Sequence, residues 1–142
     1  MIQHIIDGIC IKLNETFGDA YTIYTEAVKQ GLKEPCFIVR LVNPVSKTEL
    51  GRRYLRQNLF AIHYLPKSSE EPKAECYRVL EELYLAMEYI TVNGDLQRGV
   101  GMRSELVDDV LHIYVNYNMY VHIPQDYESM AELVEHNITT KG

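Results

Sequence analysis

Five histidines, three cysteines and three adjacent acid pairs are the residues whose types could support catalysis or metal binding. The histidines are His4, His63, His112, His122 and His136. His112 and His122 fall on one face of an alternating segment. Ten residues of strand separate them by roughly 33 Å, so they cannot ligate one ion. Solvated or interface histidines are the expectation. Cys10, Cys36 and Cys76 lie far apart, sit beside Ile, Phe, Ala or Tyr, and form no CxxC pair. That usage predicts buried free thiols in a reducing compartment. Cys76 with a spatially close His would make a nucleophile pair, but it falls on the inner stripe of a predicted helix, where a thiol is inert. Glu70-Glu71, Glu81-Glu82 and Asp108-Asp109 are sequence neighbours. Neighbours point apart on a helix or strand, so none is a ready carboxylate dyad. The first pair suits a helix N-terminus and the last a turn.

Motif chemistry is equally thin. The chain holds no G-x-S-x-G, no Walker A loop, no H-E-x-x-H and no Gly-rich turn joining a strand to a helix. Gly99-Val-Gly101 is a lone GxG beside a predicted hairpin and reads as a flexible turn. The expectation is a protein without catalytic residues, without a metal and without a cofactor.

The elements that would position these residues follow from periodicity. Ile2, Ile5, Ile6, Ile9, Cys10 and Leu13 give the stripe of a helix over 2–14, ended by Gly18. Tyr21–Thr25 reads as a short strand, and 27–34 as a connection. Cys36–Val42 is nearly all apolar, which predicts a central strand covered on both faces and closed by Asn43-Pro44. A polar excursion over 45–53 leads into a strand from Tyr54 to Leu65, with Phe60, Ile62 and Tyr64 inward; the two strands form a long β-hairpin. Ser68 and Glu71 have capping-box spacing, and a helix then runs to about Tyr89 with Cys76, Leu80, Leu83, Met87 and Ile90 inward. Asn93-Gly94 and Gly99–Gly101 loosen the approach to a second hairpin, Met102–Val107 with Val110–Ile123 around Asp108-Asp109. The last strand alternates strictly. Leu111, Ile113, Val115, Tyr117, Met119, Val121 and Ile123 share one face, and His112, Tyr114, Asn116, Asn118, Tyr120 and His122 the other. Beyond Pro124, Met130, Leu133 and Val134 allow a short helix in a partly ordered tail. The fold class is α+β: an antiparallel sheet with two main helices on one face and a long β-hairpin extension.

The 142 residues, 46% hydrophobic and 24% charged, predict one folded domain spanning 1–142 that needs no crosslink to fold. A net charge of −6 argues against nucleic-acid binding as the main task. No apolar run reaches membrane-spanning length, and no cationic region precedes an apolar run at the start, so a cytoplasmic protein without membrane contact is expected. Eleven of the fourteen aromatic residues are Tyr, a side chain suited to half-wet contact surfaces.

Charge is distributed unevenly. Lys47, Arg52, Arg53 and Arg56 against Glu49 make 45–56 locally +3, whereas Asp126, Glu128, Glu132 and Glu135 against Lys141 make 125–142 locally −3. Two solvated segments are one reading. The other is a head-to-tail contact between copies, basic tip to acidic tail, of the kind that closes rings.

Ile5-Ile-Asp-Gly-Ile-Cys-Ile-Lys-Leu, Cys36-Phe-Ile-Val-Arg-Leu-Val-Asn-Pro, Gly51-Arg-Arg-Tyr, Tyr77-Arg-Val-Leu-Glu-Glu-Leu and Leu111-His-Ile-Tyr-Val-Asn-Tyr-Asn-Met-Tyr-Val occur in that order. In pattern and order the chain resembles the tail terminator proteins of phages, prophages and phage-tail-like bacteriocins of Gram-positive bacteria. The resemblance implies a small α+β virion subunit that forms a hexameric ring at the head-proximal end of the tail tube and stops polymerisation. Its implied partners are other copies of itself, the tube protein, the sheath protein of contractile tails, and neck or head completion proteins. Its implied location is the host cytoplasm during assembly and then the tail. The resemblance carries over no functional residue by position. Candidate interface residues are therefore Lys47, Arg52, Arg53 and Arg56 on the tip, and His112, Tyr114, Asn116, Asn118 and Tyr120 on the polar strand face. For that face the alternative is coverage by the chain's own helices. Two other functions stay open: a different head–tail joining protein, or a small ligand-binding or enzymatic domain with a deep polar pocket.

Overall fold

The structure, a computed structural model, describes residues 1–25, 31–67 and 70–124. The predicted acidic tail, with its short helix, and the Ser68 cap lie outside the described residues.

The isoleucine stripe forms helix α1, Ile2–Phe17, which buries Ile5, Ile9 and Leu13. Gly18 ends it at φ 87°, its N–H bonding the Asn14 carbonyl at 2.8 Å. Strand β1 (Thr22–Tyr24) follows, then β2 (Cys36–Thr48) and β3 (Arg53–Leu65). Helix α2 spans Pro72–Ala86 with Pro72 at its first position, where the missing N–H costs nothing. Strands β4 (Tyr89–Val92), β5 (Asp95–Val107) and β6 (Val110–His122) complete the chain.

One six-stranded sheet has the order β1-β2-β3-β6-β5-β4. Its β1–β2 pair is parallel and every other neighbouring pair antiparallel. Of the inward set predicted for the long strands, Met119 and Val121 are half-buried, while Phe60, Ile62, Tyr64, Leu111, Ile113, Val115 and Tyr117 are buried. They join Phe37, Val39 and the inner faces of both helices in one core. Burying each such side chain contributes roughly 1.5–3 kcal/mol. Polar tethers fix the helices over this face. The Tyr64 hydroxyl donates to Glu75, the Tyr117 hydroxyl donates to the Met87 carbonyl at 2.7 Å, and the Tyr84 hydroxyl bonds Ser104 at 2.7 Å.

Four expectations are corrected. Strand β2 does not close at Asn43-Pro44 but continues to Thr48 through a bulge between Leu41 and Asn43. Strand β1 pairs only with Cys36–Ile38, so beyond that point β2 has an unpaired outer side where a residue lacking an N–H fits. Nor is β2 covered on both faces, because Arg40 is exposed and Ile38 half-buried. Helix α2 stops at Ala86; Met87 and Ile90 are buried from the turn and from β4, and Val79 is buried beside the predicted Leu80, which is half-buried against the core. Finally, Asn93-Gly94 is no loosening but a tight turn, with φ 52° and 84°, that folds β4 back on β5.

Gly8 has a positional reason. A Cβ there would stand 2.5 Å from the Thr91 carbonyl oxygen, so only glycine lets α1 lie this close to β4.

Candidate assembly surfaces

The β2–β3 hairpin turns over Glu49–Arg52, closed by the Glu49 N–H donating to the Arg53 carbonyl at 2.8 Å. The tip carries Lys47, Arg52 and Arg53, all exposed, around Leu50, which is 95% exposed. Two of these cations are held in place. The Arg52 Nε donates to the Ile123 carbonyl at 3.1 Å, and the Arg53 guanidinium lies 3.9 Å from the centre of the Tyr120 ring. Strand β6 thus accompanies β3 to its end, where Arg53 pairs with His122.

Arg56 parts from the other three. Register places it opposite Ser46 and Met119, on the helix-bearing side with Asn58 and Phe60, and its Nε is buried without a hydrogen-bond partner among the described residues. The predicted tip set is therefore three residues together and one turned to the opposite face.

The other face of the sheet carries the predicted polar row. His112, Tyr114, Asn116 and Asn118 are half-buried and Tyr120 is exposed; opposite them on β3 stand His63, Ala61, Leu59, Gln57 and Leu55. Helices α1 and α2 pack on the reverse side, so this face is not covered by them. Arg40, Lys47, Arg53, Arg103 and Glu105 lie on it, by the pairings Arg40↔Ala61, Lys47↔Leu55, Arg53↔His122, Arg103↔Tyr114 and Glu105↔His112. The Arg103 guanidinium lies 4.4 Å from the Tyr114 ring centre, and the Tyr114 hydroxyl donates to Glu105 at 3.3 Å.

At one point the face is chemically unusual. His63 and His112 meet edge to face, with their Nδ1 atoms 2.6 Å apart, and the Arg40 Nε donates to the His63 Nε2 at 3.1 Å. Because Nε2 of His63 accepts, its Nδ1 carries the hydrogen that His112 receives. Burial, then His112 and Arg40, push the His63 pKa down to about 4. Among the described residues no group of three or more His, Cys, Asp or Glu side chains is placed to hold a metal ion. Cys36 and Cys76 are buried as predicted, Cys10 is half-buried, and burial raises the pKa of all three thiols. They are poor nucleophiles at neutral pH.

A family model for phage tail terminator proteins matches residues 4–129. The chain belongs to the phage tail terminator family. Its role is that of a structural component of a phage tail, and its location the virion tail. No curated protein matches the chain in a sequence search. No helix of the described residues is long and apolar enough to cross a membrane.

For a terminator subunit, the features that sequence reasoning missed are those made by register. The Arg40–His63–His112 cluster joins three strands through the pairings of Arg40 with Ala61 and His63 with His112, which no single alternating segment reveals. Leu50 stood within a polar excursion and carried the signal of an apolar residue at a turn, which was passed over.

Proposed function

We propose that the protein caps the head-proximal end of a tail tube as a ring of identical copies, ends tube polymerisation there, and presents a joining surface to neck or head completion proteins. The observation that carries this reading is the terminator family match over residues 4–129. Two surfaces support it. The basic tip, Lys47, Arg52 and Arg53, is fixed by Tyr120 and Ile123 and offers a firm projecting contact. The sheet face opposite α1 and α2, with His112, Tyr114, Asn116, Asn118 and Tyr120, offers the half-wet, tyrosine-bearing surface that protein interfaces favour. A net charge of −6 also suits a ring around a DNA passage, since like charge does not trap the polymer.

Deleting the gene and imaging the tails by negative-stain electron microscopy tests the reading. The expected result is tubes of uncontrolled length without heads. Tails of normal length that lack heads would instead make the protein a neck component, and wholly normal particles would remove it from tail assembly.

A further inference from the structure

The described charges are not only uneven but arranged along one axis. Strands β3 and β6 run antiparallel from Arg53↔His122 at one end to Tyr64↔Leu111 at the other, roughly 36 Å apart at the usual rise. At the first end stand Lys47, Arg52 and Arg53 against Glu49. At the second, the start of α2 and the β5–β6 turn bring together Glu70, Glu71, Asp108 and Asp109 against Lys67 and Lys73. Two adjoining hollows of about 600 and 450 Å³ open there, sharing Lys73, Tyr77 and Asp109 as walls. Their apolar lining is Pro72, Ala74, Leu106 and Tyr77, the last 56% exposed.

We propose that the hairpin tip of one copy seats in the Tyr77 hollow of a second copy, with Leu50 as the apolar knob and Lys47, Arg52 and Arg53 facing Glu70, Glu71, Asp108 and Asp109. This deepens the ring reading and rests on it. The occupant is a second copy because this chain carries both halves of the match: a projecting leucine flanked by three cations and Glu49, and a hollow with apolar walls at Pro72, Ala74, Tyr77 and Leu106, bordered by four acids and Lys73. The hollow exceeds the size of one leucine side chain, leaving space for the stems of the flanking arginines. Because Arg52 and Arg53 are already held by Ile123 and Tyr120, docking loses little of their rotamer freedom. Tip and hollow are different surfaces, so the contact is heterologous and generates a ring where the rotation closes. The opposed charges orient copies that otherwise repel at their net charge of −6.

The test is a charge exchange in the full-length protein, scored by the fraction of tails that reach normal length. Arg52→Glu with Arg53→Glu, and separately Glu70→Lys with Glu71→Lys, each lower that fraction about tenfold or more. The four changes together restore most of it, while thermal unfolding of each purified variant stays close to that of the parent. Failure of the combined variant to recover, or an unaffected tail length in either reversal, overturns the proposal. A second measurement covers variants that fold badly. Leu50 replaced by the photo-crosslinker p-benzoyl-phenylalanine should join residues 72–77 or 106–109 of an isotope-labelled second copy in assembled tails. Crosslinks elsewhere on a second copy, or to the tube protein, overturn the tip-in-hollow contact while the deletion phenotype still upholds the terminator reading. Unchanged tails after deletion remove the terminator reading itself.

Discussion

His63 is the residue whose environment departs furthest from what its type alone suggests. Held neutral between Arg40 and His112, it has a pKa of about 4 against an ordinary 6.5. The unfolded chain therefore binds a proton that the folded one refuses between those values, and stability falls as pH falls. Its contribution is fully present above pH 6.5 and is lost progressively down to pH 4. Thermal unfolding followed by circular dichroism across this range should show a falling Tm, and His63→Gln should flatten the fall. Equal slopes for the two proteins would show that this pair does not govern the acid response. Gly8 gives a second residue-scale prediction. Gly8→Ala places a methyl group against the Thr91 carbonyl and should cost about 1–3 kcal/mol of stability, despite the better helix propensity of alanine. Both effects depend on partners from distant segments. That is why the residue types were visible in the sequence and their environments were not.

Between elements, the legible parts were those with a strict period. Residues 111–121 alternate without exception, and the structure buries the odd-numbered set through Tyr117 as that alternation requires. What failed were the points where one period gives way to another. Met87 and Ile90 continue the apolar spacing of α2, so the helix reads on through a chain that has already turned into β4. The two-residue turns tell the same story from the other side. Asp108-Asp109 was recognised, and both residues take positive φ, 51° and 62°. Asn and Gly meet that demand with less strain than two aspartates. Asp108→Asn with Asp109→Gly should therefore raise the Tm by a few degrees. If the turn also receives the tip of a neighbouring copy, the same variant should assemble less well. Stabilisation without an assembly defect would separate the turn from the docking surface.

At the scale of the whole molecule, the sequence fixes net charge and leaves its geometry open. Only the pairing of β3 with β6 places the basic tip and the Asp108 turn at opposite ends of the same strands. The same pairing puts Ile123, next to Pro124 and the acidic tail, beside Arg52 of its own chain. Contacts between exposed charges weaken as the Debye length shrinks from about 10 Å at 0.1 M salt to about 3 Å at 1 M. Association of copies, read by light scattering, should accordingly fall with added salt while the Tm of the subunit scarcely moves. A salt-insensitive association would assign the contact to apolar surface alone. The order of the sheet has a further consequence for the growth-ending role proposed above. Its outermost strands, β1 and β4, are three and four residues long. They pair with only Cys36–Ile38 of β2 and Asp95–Arg98 of β5, so among the described residues the outer sides of β2 beyond Val39 and of β5 beyond Gly99 keep free peptide groups to which another chain could add a strand. Backbone templating from sheet to sheet, the one interaction that extends without limit, is thus open along those two stretches, which are the edges a growth-ending assembly has to cover.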